Sequence, residues 1–286
     1  MDTNFWVIQT FNGISYGALL FLLASGLSLI FGVMRIVNLS HGSFFLLGGY
    51  VALTVIWTTG SWLLAIPVAA LVIAVMGLAM ERVFLRPLGF DPLRQVLLTV
   101  GFAYLFQQAA LDIWGGDNLD IAPPAMLKES AVVGGFYLPL YRVFMIGMAL
   151  VMGLVLWLTM EKTRMGAMVR ATVDDAEMAR GVGINTSRVS MFIFALGAFL
   201  AGLGGVIGGA FLGVYPGLDF AILPIAFAVV IIGGMGSLTG AAVGSLLVGL
   251  ADNFGKALFP EISYFTLYAP MVLILALKPT GLFGRE

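Results

Sequence analysis

The chain has 286 residues, 60% of them hydrophobic and only 10% charged, with a net charge of −1, one histidine and no cysteine. A water-soluble protein carries about 25% charged residues, so this composition excludes a soluble globular domain. The lack of cysteine excludes disulfides, thiolate metal sites and cysteine nucleophiles. One histidine without a dense acidic cluster argues against a metal site, and no basic face is present to follow nucleic-acid phosphates.

The charges cluster in short segments between apolar runs, and a run of roughly 17 to 25 residues crosses the hydrocarbon as a helix. Met1-Asp2-Thr3-Asn4 carries no positive n-region, and the apolar stretch after it is too long for a signal-peptide core, so it is expected to remain as the first membrane helix. Spans are predicted at 14–33, 39–57, 62–80, 95–111 and 143–160, with Trp57, Trp62, Trp114 and Trp157 near their ends as interfacial anchors. Further on, 189–218 and 220–251 are uncharged and too long for one untilted crossing each. Glycine and proline place the cuts, giving helices at 189–213, 220–233 and 237–252, a turn at Tyr215-Pro216-Gly217 and a closing helix at 262–277. The fold class is therefore an all-α polytopic membrane protein, a single domain of about eight or nine transmembrane or partly re-entrant helices. Short, glycine-interrupted segments of this kind are tolerated at membrane depth where they line a cavity or are enclosed by protein.

Threading nine segments with the N-terminus outside and the C-terminus cytoplasmic places every basic residue except Lys128, Arg142 and Lys256 in the cytoplasm, as the positive-inside bias demands. The long loop 112–142, with Asp112, Asp117, Asp120 and Glu129, then faces outward. No phosphate-binding loop of the G-x-x-x-x-G-K-[ST] type occurs, so any energy source lies in a partner or an ion gradient.

Three features stand out within this frame. Arg35-Ile-Val-Asn-Leu-Ser-His41 is polar and lies between two spans. It reads either as a cytoplasmic turn in which Asn38 or Ser40 caps the second helix, or as an unwound stretch in which Asn38, Ser40 and His41 line the solute pathway. Gly204/Gly208, Gly205/Gly209/Gly213/Gly217 and Gly236/Gly240/Gly244 follow small-xxx-small spacing, which points to close helix packing. The loop 161–188 carries its own helix signal: Thr172 as cap, Asp174, Asp175 and Glu177 in the first turn, and Arg180, Gly181 and Gly183 at the end. Val173, Ala176 and Ala179 form its apolar side. Asp252 and Asn253 are expected at a helix end near the outer interface, as capping or solvated residues.

Residues 170–185 with 192–205, 26–50 and 230–244 resemble corresponding segments of permeases from the branched-chain amino acid ATP-binding-cassette importers, and the chain is most similar to the shorter of the paired permeases. The resemblance implies a non-catalytic subunit, with no cofactor of its own, in the bacterial inner membrane. It implies a heterodimer with a second homologous permease, a homodimer being the other arrangement. It also implies two cytoplasmic ATP-binding subunits holding ATP and Mg, and an extracytoplasmic solute-binding protein. On this likeness Arg170, Asp174, Asp175, Glu177, Arg180, Gly181 and Gly183 dock to the ATPase. Similar permeases carry other amino acids, urea and short amides. A secondary transporter or passive channel for a small neutral solute is the alternative. An ion-coupled carrier is expected to hold acids or histidine inside its spans, where only His41 qualifies.

Overall fold

A computed structural model of the chain describes residues 3–89 and 91–284; Met1, Asp2 and Arg285, on which parts of the sequence reading rest, lie outside them. The first helix, α1 (Thr3–Met34), is 32 residues long, about 48 Å at 1.5 Å per residue. From Ser15 to Ile30 every residue but Ala18 is buried, so α1 runs through the middle of the molecule. With α2 (His41–Thr59) and α9 (Thr186–Leu212) it makes an interior that is apolar on all faces, as enclosed helices are.

An outer wall is formed by α3 (Trp62–Met80), α4 (Pro92–Trp114) and α6 (Leu140–Lys162). They expose large apolar side chains such as Leu71, Val75, Leu97, Leu105, Leu150 and Leu154, the surface a bilayer would cover. Among the described residues seven helices are long and apolar enough to cross a membrane, and two shorter apolar ones join them, α10 (Leu218–Gly233) and the last helix (Ser263–Leu277). The expected all-α polytopic class is met.

At one end of the bundle α3 passes through a π turn (Glu81–Leu85) and a 3-10 turn (Arg86–Leu88), and beside them lie two short helices, α7 (Arg164–Asp174) and α8 (Ala176–Gly181). The opposite end carries α5 (Ala125–Lys128) and a hairpin, β1 (Ser130–Val133) and β2 (Phe136–Pro139), in register Ser130 to Pro139. The hairpin was not foreseen. Its turn is Gly134-Gly135, with φ of 60° and 86°, the positive values a two-residue type I′ turn requires. Leu119 pairs with Val214 through both backbone bonds, at 2.9 and 2.8 Å, which ties this loop to the end of α9.

Several boundaries differ from the apolar runs because polar residues find partners across helices. Asn12 in α1 accepts from Arg142, and Gln9 accepts from Asn253 at 2.6 Å, so α1 begins well before residue 14. Asp91 caps α4 by accepting from the Arg94 amide at 3.2 Å, with Pro92 in the first helical position. The helix α11 (Leu238–Leu258) continues past Asp252. Asp252 is buried against Lys256 at 2.7 Å, so the expected end-of-helix role for Asp252 and Asn253 is replaced by packing between α11 and α1. Of the four tryptophans expected as interfacial anchors, Trp57 and Trp157 face outward; Trp62 is buried beside Phe144, and Trp114 stacks on Tyr50 at 4.8 Å.

Interior helices meet at glycines. A Cβ at Gly26 would lie 2.7 Å from the Gly197 carbonyl, and one at Gly48 would overlap the Gly202 backbone. In lipid there is no hydrophobic drive between helices, so this close approach supplies van der Waals contact in its place.

Candidate functional site

The chain breaks between α1 and α2, at Arg35, whose φ of 53° is the only positive value at a non-glycine residue among the described residues. It then turns back into the bundle. Ile36, Asn38 and Ser40 are buried while Arg35 and Val37 are exposed, the alternation of extended backbone. Re-entry is deep: His41 Nε2 bonds the Leu23 carbonyl at 3.0 Å, and Leu23 lies about 16 Å along α1 from Met34. The Leu39 amide donates to Thr99 Oγ1 on α4 at 3.2 Å, and Ser40 reaches Met80 on α3. The reading of 35–41 as a cytoplasmic turn with a solvated cap is overturned for Ile36, Asn38, Ser40 and His41, which are buried among α1, α3 and α4 while Arg35 and Val37 stay exposed.

Local polar bonding fixes the segment. Asn38 Oδ1 accepts from the Ser40 amide at 3.1 Å and from Ser40 Oγ at 2.7 Å. This occupies the Ser40 hydroxyl, and no side chain caps α2. Since the Leu23 carbonyl can only accept, the proton sits on His41 Nε2, and Nδ1 is left as a lone pair. His41 Nδ1, Asn38 Nδ2 and Tyr50 OH, all buried, have no hydrogen-bond partner.

The sequence reading missed Asp219, which lies in the gap between two uncharged runs and escapes a scan for charges inside spans. It sits in the first turn of α10, 2% exposed, and Ser43 Oγ donates to its Oδ2 at 2.8 Å. Its backbone also lies on α2: a Cβ at Gly42 would stand 2.5 Å from the Asp219 carbonyl oxygen. Asp219 Oδ1 has no partner. His41 is therefore not alone as a titratable group within the helices, and Glu81 and Asp252 are buried there too. Their available signal was the rule that a polar residue at membrane depth marks function. The described residues hold no group of three metal-ligating side chains.

The glycine series packs helices inside the chain. A Cβ at Gly204 would stand 3.3 Å from the Phe45 ring, and Cβ atoms at the other positions would crowd Phe45 (from Gly205 and Gly208), Val214 (from Gly209), Gly32 (from Gly236), Gly233 (from Gly240) and the Val229 carbonyl (from Gly244). Gly213 and Gly217 are exceptions, ending α9 and opening α10 with φ of 77° and 101°.

The segment after α6 is two helices rather than one. Thr163 caps α7, and Thr172 lies in its last turn, where its hydroxyl donates to the Met168 carbonyl. The cap expected of Thr172 is made by Asp175, which accepts from the Glu177 and Met178 amides, both at 2.9 Å. Asp174 closes α7 and so does not share a first turn with Glu177. Arg170 reaches Glu161 at 3.7 Å and the Met160 carbonyl, fixing α7 to α6. Gly183, at φ 88°, ends α8 in a Schellman motif, with Ile184 bonded to Ala179 and Gly183 to Arg180, each at 3.0 Å; Gly181 stays inside the helix. Ala179 is buried, while Glu177, Met178, Arg180 and Val182 are exposed. Beneath α7 a cavity of about 840 Å³ opens, lined among others by Arg35, Glu161, Arg170, Asp174 and Thr239. It joins this segment to the start of the re-entrant stretch.

Residues 9–275 match the family model described as branched-chain amino acid transport system permease component. The chain is 32% identical to the high-affinity branched-chain amino acid transport system permease protein LivH of Escherichia coli (strain K12), over 98% of this chain and 96% of that protein. It is 29% identical to the corresponding protein BraD of Pseudomonas aeruginosa, over 97% and 95%. LivM of Escherichia coli (strain K12), a permease protein of the same kind of system, is 26% identical over 91% of this chain and 67% of its own length. No solved structure matches the chain.

Proposed function

The chain belongs to the family of branched-chain amino acid transport permeases, and on that premise we infer that it forms one half of the translocation pathway of an ATP-driven importer in the bacterial inner membrane. The family match over nearly the whole chain carries this reading, and branched-chain or related amino acids are its solutes. The alternative of a secondary transporter or passive channel finds no support among these relatives. Both LivH and LivM are similar to the chain, which supports pairing with a second, homologous permease.

Two ATPases, holding ATP and Mg, would dock on α8, and this chain would catalyse nothing itself. Met178 and Val182 stand one turn apart on the exposed face, flanked by Asp175 and Glu177, so an apolar contact with an acidic border is available to a groove. Arg170 and Glu161 make α7 and α6 move together, and the cavity beneath leads to Arg35 and the re-entrant segment. A push on α8 would thereby reach Asn38, Ser40 and His41 as a rigid-body shift. The α8 end is cytoplasmic on this reading, near Arg82, Arg86 and Lys162, and the hairpin end faces a solute-binding protein.

Co-purification of the ATPases with wild-type chain and with Asp175→Lys/Glu177→Lys tests the docking role. Loss of the ATPases with unchanged chain abundance is expected, and full retention together with normal uptake overturns it. Because the sequence has no cysteine, single cysteines at Glu177 and Asp120 report orientation: an impermeant maleimide applied to spheroplasts should label only the second.

A further inference from the structure

Among the described residues three acids are buried, Glu81, Asp219 and Asp252, and two have a cation: Glu81 has Arg86 at 3.1 Å and Asp252 has Lys256 at 2.7 Å. Asp219 has none within ion-pair distance among the described residues. Its place in the first turn of α10 makes a negative charge tolerable through the helix dipole and the nearby Asp219 and Phe220 amides, yet none of these reaches Oδ1 with the geometry of a hydrogen bond. A buried carboxylate oxygen without a partner is costly, so the site is built for something that supplies a donor. Within a turn of it, α2 begins with no side-chain cap, preceded by the unpartnered amide of Asn38, which is fully buried. A fixed negative group thus stands against the first turn of α2, a helix whose N-terminus has no side-chain cap and follows a free amide donor in the chain.

We propose that Asp219 and Asn38 form a binding point for a zwitterionic solute within the bundle, Asp219 Oδ1 taking an ammonium and Asn38 Nδ2, with the Gly42 and Ser43 amides of α2, taking a carboxylate. This rests on the permease reading for its solute and goes beyond it in assigning the residues that recognise the charged ends. A single carboxylate without further acids does not suit a hard metal cation, which needs about six oxygen ligands. A urea or amide offers no full charge for Asp219, so the site selects amino acids over neutral solutes. Ser43 tethers the carboxylate while the site is closed, and separating α2 from α10 admits the solute.

A single cysteine at Ser43, in this cysteine-free chain, tests the charge. In native membranes a cationic methanethiosulfonate should label it about tenfold faster than an anionic one, as a fixed carboxylate raises the local concentration of cations. Asp219→Asn should abolish the preference and Asp219→Glu should keep it. L-leucine should slow labelling, and 4-methylpentanoate, which lacks the ammonium, should not. Equal rates for both reagents, or a preference unchanged by Asp219→Asn, overturn the proposal. If Asp219→Asn does not accumulate, the preference in the Asp219 background decides. Leucine uptake separates the two readings: charge preference without uptake by the wild-type system removes the importer and leaves the binding point standing. Uptake without charge preference does the reverse.

Discussion

Ser43 Oγ donates to Asp219 Oδ2 across 2.8 Å, joining the first turn of α2 to the first turn of α10. The two residues are far apart in sequence, and their bond holds two helices that each start at depth in the bundle. Ser43→Ala leaves both carboxylate oxygens without a side-chain donor, and stranding a buried polar group costs about 1–3 kcal/mol. Ser43→Ala/Asp219→Ala removes the stranded group as well. Thermal unfolding in detergent should show the double variant less destabilised than the sum of the single ones, with a coupling of about 1 kcal/mol or more.

Gly205→Ala should be among the most disruptive single changes. Its Cβ would overlap the Phe45 carbonyl and stand 2.9 Å from the Gly49 amide, both backbone atoms that cannot rotate away. Overpacking of a tight core costs about 1–3 kcal/mol. At Gly181 nothing lies within 4 Å and φ is not positive, so Ala there gains helix propensity, up to about 1 kcal/mol. Monodispersity and melting temperature of the two purified variants should move in opposite directions.

How much of this was legible beforehand follows from the physics of each signal. The apolar runs place α1 to α3 because a bilayer demands them, and Gly-Gly between Val132-Val133 and Phe136-Tyr137 was a hairpin signal that the membrane frame obscured. Burial of Ile36, Asn38, Ser40 and His41 was not legible, since Asn38, Ser40 and His41 also read as a solvated cap, and only contacts from α1, α3 and α4 decide between the readings. Asp219 was hidden by the act of cutting: a charge between two apolar runs reads as loop, and its burial depends on α10 starting inside the bundle. Thr172 and Asp175 are both good caps, so sequence alone could not choose the one where the chain kinks.

The α8 turn should loosen when its ends are altered. Asp175→Ala removes the acceptor of the Glu177 and Met178 amides, worth about 0.5–2 kcal/mol. Gly183→Ala forces a side chain into φ 88°, at about 1–2 kcal/mol. Hydrogen exchange of residues 176–184 should accelerate in both, with the amides of α9 unchanged, and ATPase co-purification should weaken in step with that exchange.

The pair at the π turn should respond unequally to loss of either partner. Glu81 is almost wholly enclosed, whereas Arg86 reaches the surface and also donates to the Ser187 carbonyl at the start of α9. Arg86→Ala leaves the Glu81 carboxylate enclosed with its cation gone and releases α9 as well. Glu81→Gln keeps a polar acceptor for Arg86 and strands no charge, while Arg86 retains solvent on its exposed side. The first change should therefore cost about 1–3 kcal/mol and the second about half of that or less. Thermal unfolding of both variants checks the order, and Arg86→Lys, which restores a charge without the fork, should fall between them. Equal losses would mean that the mutual Glu81–Arg86 contact is the whole effect, with no added cost from the stranded carboxylate or from the released Ser187 carbonyl.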